Sequence, residues 1–207
     1  YTSDVSGYNV TNTYTPGKTS VPVEKVWNDK EDQDGKRPGS VTVKLLADKV
    51  DTGKTLELNS TNQWKGSFED LDEYKGGKKI EYTLEEVTVP GYTTSITKSS
   101  NGYVVTNSHT PETTEVSGKK TWNDKEDQDG KRPKEITINL YADGVKKDSK
   151  KVTASENWSW KFDNLAKYAK GQLINYTITE DVVKDYTSDV SGYNVTNTYT
   201  PGKTSVS

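Results

Sequence analysis

The chain has no cysteine, no methionine and a single histidine. Without cysteine no disulfide can staple a thin core, and thiol nucleophiles and thiolate metal sites are excluded. The one histidine, His109, has no serine or cysteine partner repeated with it, so a hydrolytic triad is unsupported. Neither charge is in surplus: 31 acidic residues against 28 Lys and Arg leave −3, with no long run of one sign. Nucleic acid and membrane surfaces are therefore not expected partners. No apolar stretch is long enough to cross a bilayer, and no signal peptide is recognisable. Hydrophobic residues make up only 29%, yet 13 Tyr, 5 Trp and many β-branched residues argue against disorder. A core this lean needs reinforcement, and without cysteine any crosslink must use other chemistry. The lack of both oxidisable sulfur residues also suits an extracellular location.

What the sequence has instead is repetition. Trp27-Asn28-Asp29-Lys30-Glu31-Asp32-Gln33-Asp34-Gly35-Lys36-Arg37-Pro38 recurs without change at 122–133. Matched segments follow: Val41, Val43 and Leu45 alternate in one copy, and Ile136, Ile138 and Leu140 in the other. Trp64 with Phe68, Leu71 and Tyr74 is matched by Trp158 or Trp160 with Phe162, Leu165 and Tyr168. Short Thr-, Val- and Tyr-rich alternating segments read as strands of an all-β sandwich, with at most a turn of helix near 72–75 and 166–168. Residues 1–21 are identical to 186–206 and so read as the last strands and linker of a preceding repeat. The expected organisation is that leftover piece, a first β-sandwich over 22–111 and a second over 112–207. The pattern is cut at both ends, as expected of a piece of a longer protein.

Each copy closes on one phrase. Tyr103-Val104-Val105-Thr106-Asn107 ends the first, Tyr193-Asn194-Val195-Thr196-Asn197 the second, and Tyr8-Asn9-Val10-Thr11-Asn12 the leftover piece. Strand side chains alternate faces, so Val195 and Asn197 point the same way, and an amide lies on the apolar side. A buried amide without a partner is costly. The same counting puts Lys25 beside Val23 and Trp27, and Lys120 beside Val116 and Trp122. Glu86 and Glu180 end the apolar rows through Ile80, Tyr82 and Leu84, and through Ile174, Tyr176 and Ile178. Each unit thus turns one lysine, one glutamate and one asparagine inward. Burial favours the neutral amine and the neutral acid. A neutral amine is a nucleophile, and the acid can polarise the asparagine carbonyl and carry a proton. Attack of Nζ on the side-chain amide would expel ammonia and join the two side chains, the fold supplying proximity. A buried Lys–Glu ion pair with a hydrogen-bonded Asn fits the alternation equally well.

Lys-x-Trp-x-Asp, Asp-Gly-Lys-Arg-Pro, Tyr-Thr-x-x-Glu and Val-Thr-Asn-x-x-Thr-Pro together resemble the Cna B-type repeats, a family of Gram-positive surface modules that includes the B region of the staphylococcal collagen adhesin. The resemblance covers essentially the whole chain. It implies a prealbumin-like or Ig-like sandwich with an intramolecular Lys–Asn isopeptide bond assisted by an acid. Carried onto this chain, it implies Lys25 with Asn107 and catalytic Glu86, and Lys120 with Asn197 and catalytic Glu180. Asn12 is an orphan acceptor with neither lysine nor glutamate. The first unit departs from the pattern after Asn107, where Ser108 and His109 replace Thr and Tyr, which is expected to loosen packing there.

The acidic loops 28–35 and 123–130 superficially resemble calcium loops but lack the full ligand spacing, so solvated turns are expected and no metal. Trp64, Trp158 and Trp160 are expected in the core rather than in a ligand groove. The Asn-x-Ser/Thr sequons are those a Thr/Asn-rich chain carries by chance. The resemblance implies a stalk of a cell-wall-anchored, extracellular adhesin, with neighbouring repeats as partners. A host matrix protein would be bound by a separate domain. No cofactor is called for, and no enzyme acting on an outside substrate. The alternative is a repeat that itself binds a matrix protein. Divergence of 51–54 from 145–148 beside identical inner motifs favours the stalk. The leftover strands are expected simply to contact neighbours, rather than to complete another molecule's sandwich.

Overall fold

The computed structural model describes residues 1–206. It divides into two compact units, one made of Tyr1–Asp32 and Lys36–Thr110 and the other of Gln33–Gly35 and the residues from Pro111 on. The first opens with an antiparallel hairpin, β1 (Thr2–Ser6) and β2 (Asn9–Thr13), whose residues are all exposed. Then come β3 (Lys18–Asn28), β4 (Ser40–Ala47), β5 (Val50–Asn59), β6 (Lys65–Asp72), β7 (Tyr74–Lys75), β8 (Lys78–Lys79), β9 (Tyr82–Glu86), β10 (Thr93–Lys98) and β11 (Tyr103–Ser108). Strands β10-β11-β3-β6 form one sheet and β5-β4-β9 another. Both feed one core: Val23 and Val105 come from the first sheet, Val43, Leu45 and Leu58 from the second. In β4 the alternation of Val41, Val43 and Leu45 is what places every second residue inside.

The second unit repeats this plan with β12 (Thr113–Asn123), β13 (Glu135–Ala142), β14 (Val145–Thr153), β15 (Ser159–Ala166), β16 (Tyr168–Ala169), β17 (Gln172–Leu173), β18 (Tyr176–Glu180), β19 (Thr187–Ser191) and β20 (Asn194–Thr198). Its sheets are β15-β12-β20-β19 and β14-β13-β18. In both units the first and last strands are parallel neighbours, β3 with β11 and β12 with β20.

Two expectations change. The helical turns near 72–75 and 166–168 are small hairpins, β7 with β8 and β16 with β17. Among the described residues the one helical turn is a 3₁₀ turn, Ala154–Glu156, closed by a capping box from Thr153 and Glu156. The expected division at 21/22 falls inside β3: Lys18 and Thr19 already pair with Asp72 and Leu71, and Val21 is in the core. The identity of 1–21 with 186–206 hid this, because the shared linker residues continue straight into the next first strand.

The Trp ambiguity also resolves. The backbone N–H of Lys25 donates to the Trp64 carbonyl, and that of Lys120 to the Trp158 carbonyl, so these two tryptophans correspond. Trp160 instead stands opposite Gly118, where the first unit pairs Gly66 with Val23. One strand pair therefore carries its bulk on opposite partners in the two copies.

Candidate functional site

In each unit lysine and asparagine lie on adjacent parallel strands, and glutamate reaches them from the other sheet. Lys25 is opposite Val105 and Trp27 opposite Asn107, which makes Lys25 and Asn107 diagonal neighbours on the inner face. Lys120, Val195, Trp122 and Asn197 repeat that register. Glu86 ends β9 opposite Val43, and Glu180 ends β18 opposite Ile138. Lys25 Nζ is 3.2 Å from Glu86 Oε1, and both side chains are fully inaccessible. Lys120 Nζ donates directly to Glu180 Oε1. Asn107 and Asn197 are each 0% exposed, and neither the nitrogen nor the oxygen of either amide has a hydrogen-bond partner. The sequence-expected trio is thus brought together twice. Asn12 is left out: in the exposed hairpin its Oδ1 accepts from Ser3 Oγ at 2.5 Å.

Burial pushes both lysines below their ordinary range, against the pull of Glu86 on Lys25 and of Glu180 on Lys120. Arg37 adds a smaller push in the same direction on Lys25. Aromatic rings help shut out water. Lys25 Nζ sits 4.4 Å from the Trp27 ring centre, and Trp27 packs edge-on against Trp64 at 5.2 Å and Tyr92 at 5.1 Å. Trp122 covers Lys120 at 4.7 Å, flanked in turn by Trp158 and Tyr186.

The acidic loops fasten this wall. Asp29 is buried and accepts from Arg37 Nη2 at 2.6 Å, Arg37 Nε at 3.0 Å, the Asp32 N–H at 3.0 Å and the Tyr92 hydroxyl at 2.8 Å. Asp124 makes the same four bonds with Arg132, Asp127 and Tyr186. Lys30, Glu31 and Asp32 all adopt left-handed backbone, as do Lys125, Glu126 and Asp127. Three such residues in a row are unfavourable without glycine. The buried aspartate compensates by binding the turn and the arginine at once. Among the described residues no group of three acidic or histidine side chains gathers as a cation would require.

Substitution of Tyr by His after the first closing strand keeps the aromatic contact. His109 packs at a tilt against Tyr92 with ring centres 5.5 Å apart, as Tyr199 does against Tyr186. The expected loosening is therefore not what the packing shows. Thr94 had no sequence signal. It lies in a run of threonines and serines, yet its hydroxyl donates to Glu86 Oε2 at 2.6 Å. The roles of Asp29, Arg37 and Tyr92 were equally hidden, since the unchanged loop read as a solvated turn.

Two tandem β-sandwiches, each with an amine, a carboxyl and an unpartnered amide sealed in its core, define a repeat protein of β-sandwich modules. The chain belongs to the Cna protein B-type domain family, whose model matches residues 21–108 and 116–198. It is 50% identical over 207 residues to a collagen adhesin of Staphylococcus aureus, covering 99% of this chain and 18% of that protein. The crystal structure of two B repeat units of the collagen binding protein of Staphylococcus aureus superposes with a TM-score of 0.85 at 48% identity, over 97% of this chain and 54% of that one.

Proposed function

We propose that each unit ties its first strand to its last by an amide, joining Lys25 to Asn107 and Lys120 to Asn197, and that the tandem acts as a stiff stalk of an extracellular, cell-wall-anchored adhesin. The observation that carries this reading is the pair of fully buried asparagines whose amide atoms bond to nothing. Such amides cost free energy as they stand, and each lies beside an amine that burial drives toward neutrality.

The chemistry balances without a cofactor. Glu86 takes a proton from the Lys25 ammonium, and the freed Nζ lone pair attacks Asn107 Cγ. The tetrahedral centre collapses by breaking its bond to Nδ2, which leaves as ammonia on receiving the carboxyl proton. The attacking nitrogen returns a proton to Glu86. Glu180 does the same for Lys120 and Asn197. This is one turnover within the chain, so no enzyme activity on an outside substrate is proposed.

Intact mass under denaturing conditions tests it. The chain should be lighter than its sequence mass by about 17 Da per bond, roughly 34 Da in all, and Lys25→Ala or Lys120→Ala should each remove half the deficit. A mass equal to that of the sequence would leave only a buried polar network and remove the mechanical argument. The chain spans 18% of the collagen adhesin it matches, and in this reading a host matrix protein is bound by a separate domain. Immobilised collagen should accordingly retain none of this chain above background.

A further inference from the structure

The two units differ at the carboxyl, and the difference lies in a residue outside the reacting trio. In the first unit Thr94 Oγ1 donates to Glu86 Oε2 at 2.6 Å, so Oε1 is the oxygen turned to Lys25. Lys25 stays 3.2 Å from that oxygen and places Nζ 3.5 Å from the Val105 carbonyl, on the closing strand that also carries Asn107. Thr94 is itself opposite Asn107 in the β10–β11 register. In the second unit the residue opposite Asn197 is Ser188. It makes no bond to Glu180, whose Oε2 is buried without a partner, and Lys120 is hydrogen-bonded to Oε1 instead.

We propose that Thr94 is a positioning residue for the crosslinking step: it holds Glu86 by the far oxygen, leaves Lys25 free to approach the closing strand, and so makes the first unit close faster than the second. The inference rests on the crosslink reading. β-Branching confines the Thr94 hydroxyl to few rotamers, whereas a serine hydroxyl turns freely and loses its hold to water. Where the hydroxyl does not hold the carboxyl, the ammonium does, and the lysine must break that bond before it can attack. The proton still passes from Nζ to Oε1 and on to the leaving nitrogen, so Thr94 adds no chemical step.

The test is a time course of cell-free synthesis of the full chain, quenched in denaturant and digested. Mass spectrometry then counts the two crosslinked peptides separately. The bond at Lys25 should form about fivefold faster than the bond at Lys120, the rate effect of one hydrogen bond. Thr94→Val and Thr94→Ser should slow the first bond to about the rate of the second and leave the second unchanged. Ser188→Thr should speed the second, a gain that impaired folding cannot produce. Equal rates in the parent chain would overturn the proposal, as would a Thr94→Val variant with the parent rate. Slowing by Thr94→Val with no gain from Ser188→Thr would reduce Thr94 to packing and overturn it too. If the parent chain forms neither bond, the crosslink reading itself fails.

Discussion

A lysine ammonium, a glutamate and a primary amide are each poor occupants of a protein interior, and each unit buries all three within reach of one another. Removing one member alone exposes the cost of the others. Glu86→Ala should abolish the Lys25 crosslinked peptide and destabilise the first unit by about 3 kcal/mol or more, because a lysine is left buried without its carboxyl. The Lys120 peptide should persist in that variant, which a digest would show. The buried aspartate of the acidic loop makes a second residue-scale prediction. The Arg132 guanidinium, with the Asp127 N–H and the Tyr186 hydroxyl, holds the Asp124 carboxyl at about 2, against an ordinary 3.8. A carboxyl depressed on folding stabilises fully above its unfolded value and loses that contribution as pH falls through the folded one. The stability gap between the parent chain and Asp124→Asn should therefore be constant above about pH 4 and close as pH falls toward 2. A denaturant titration at each pH measures it. At this scale the sequence was highly legible, because strand alternation alone turned Lys25, Glu86 and Asn107 inward. Thr94 and Asp29 were not legible. Their partners lie across the fold or on a left-handed turn, and neither leaves a periodic trace.

Among the elements, the first and last strands carry the lysine and the asparagine, and each first strand is also paired on its other side, β3 with β6 and β12 with β15. Opposite partners supply the bulk in the two units, Val23 against Gly66 and Gly118 against Trp160. A Cβ added at Gly118 would lie 1.7 Å from the Tyr193 carbonyl oxygen and 2.7 Å from the Trp160 ring. Gly118→Val should thus destabilise the second unit by about 3 kcal/mol and lower the yield of the Lys120 crosslink, with the first unit unaffected. Thermal unfolding with peptide-level mass spectrometry would show both effects. Strands such as β4 and β13 were readable from their alternating apolar residues. The hairpins of β7 with β8 and β16 with β17 were not, since two-residue strands are too short for any period to register. The start of β3 at Lys18 was masked for a different reason: a linker residue and a strand residue look alike when both are polar and extended.

Over the whole molecule, a bond between parallel first and last strands changes how a unit bears load. Force entering through β3 would pass from Lys25 to Asn107 without reaching the residues enclosed between them. The proposed bond would close most of each unit into one loop and lower the entropy of its unfolded state much as a long-range disulfide does. Single-molecule stretching of the parent chain should therefore show no release of either enclosed segment. Lys25→Ala should release one, on the order of 300 Å of extended chain. An unfolding step of that size in the parent chain would defeat the stalk reading. Alternation and repetition are local properties of a chain, so the repeat, the all-β class and the inward lysine, glutamate and asparagine of each unit could be read from the order of residues. That lysine and asparagine share one sheet while the glutamate reaches across from the other follows from the folded strand order. The fold likewise gives Glu86 a threonine on its far oxygen and leaves the far oxygen of Glu180 without a partner. Those contacts join different strands and sheets, and they depend on strand order and register, which no local pattern encodes.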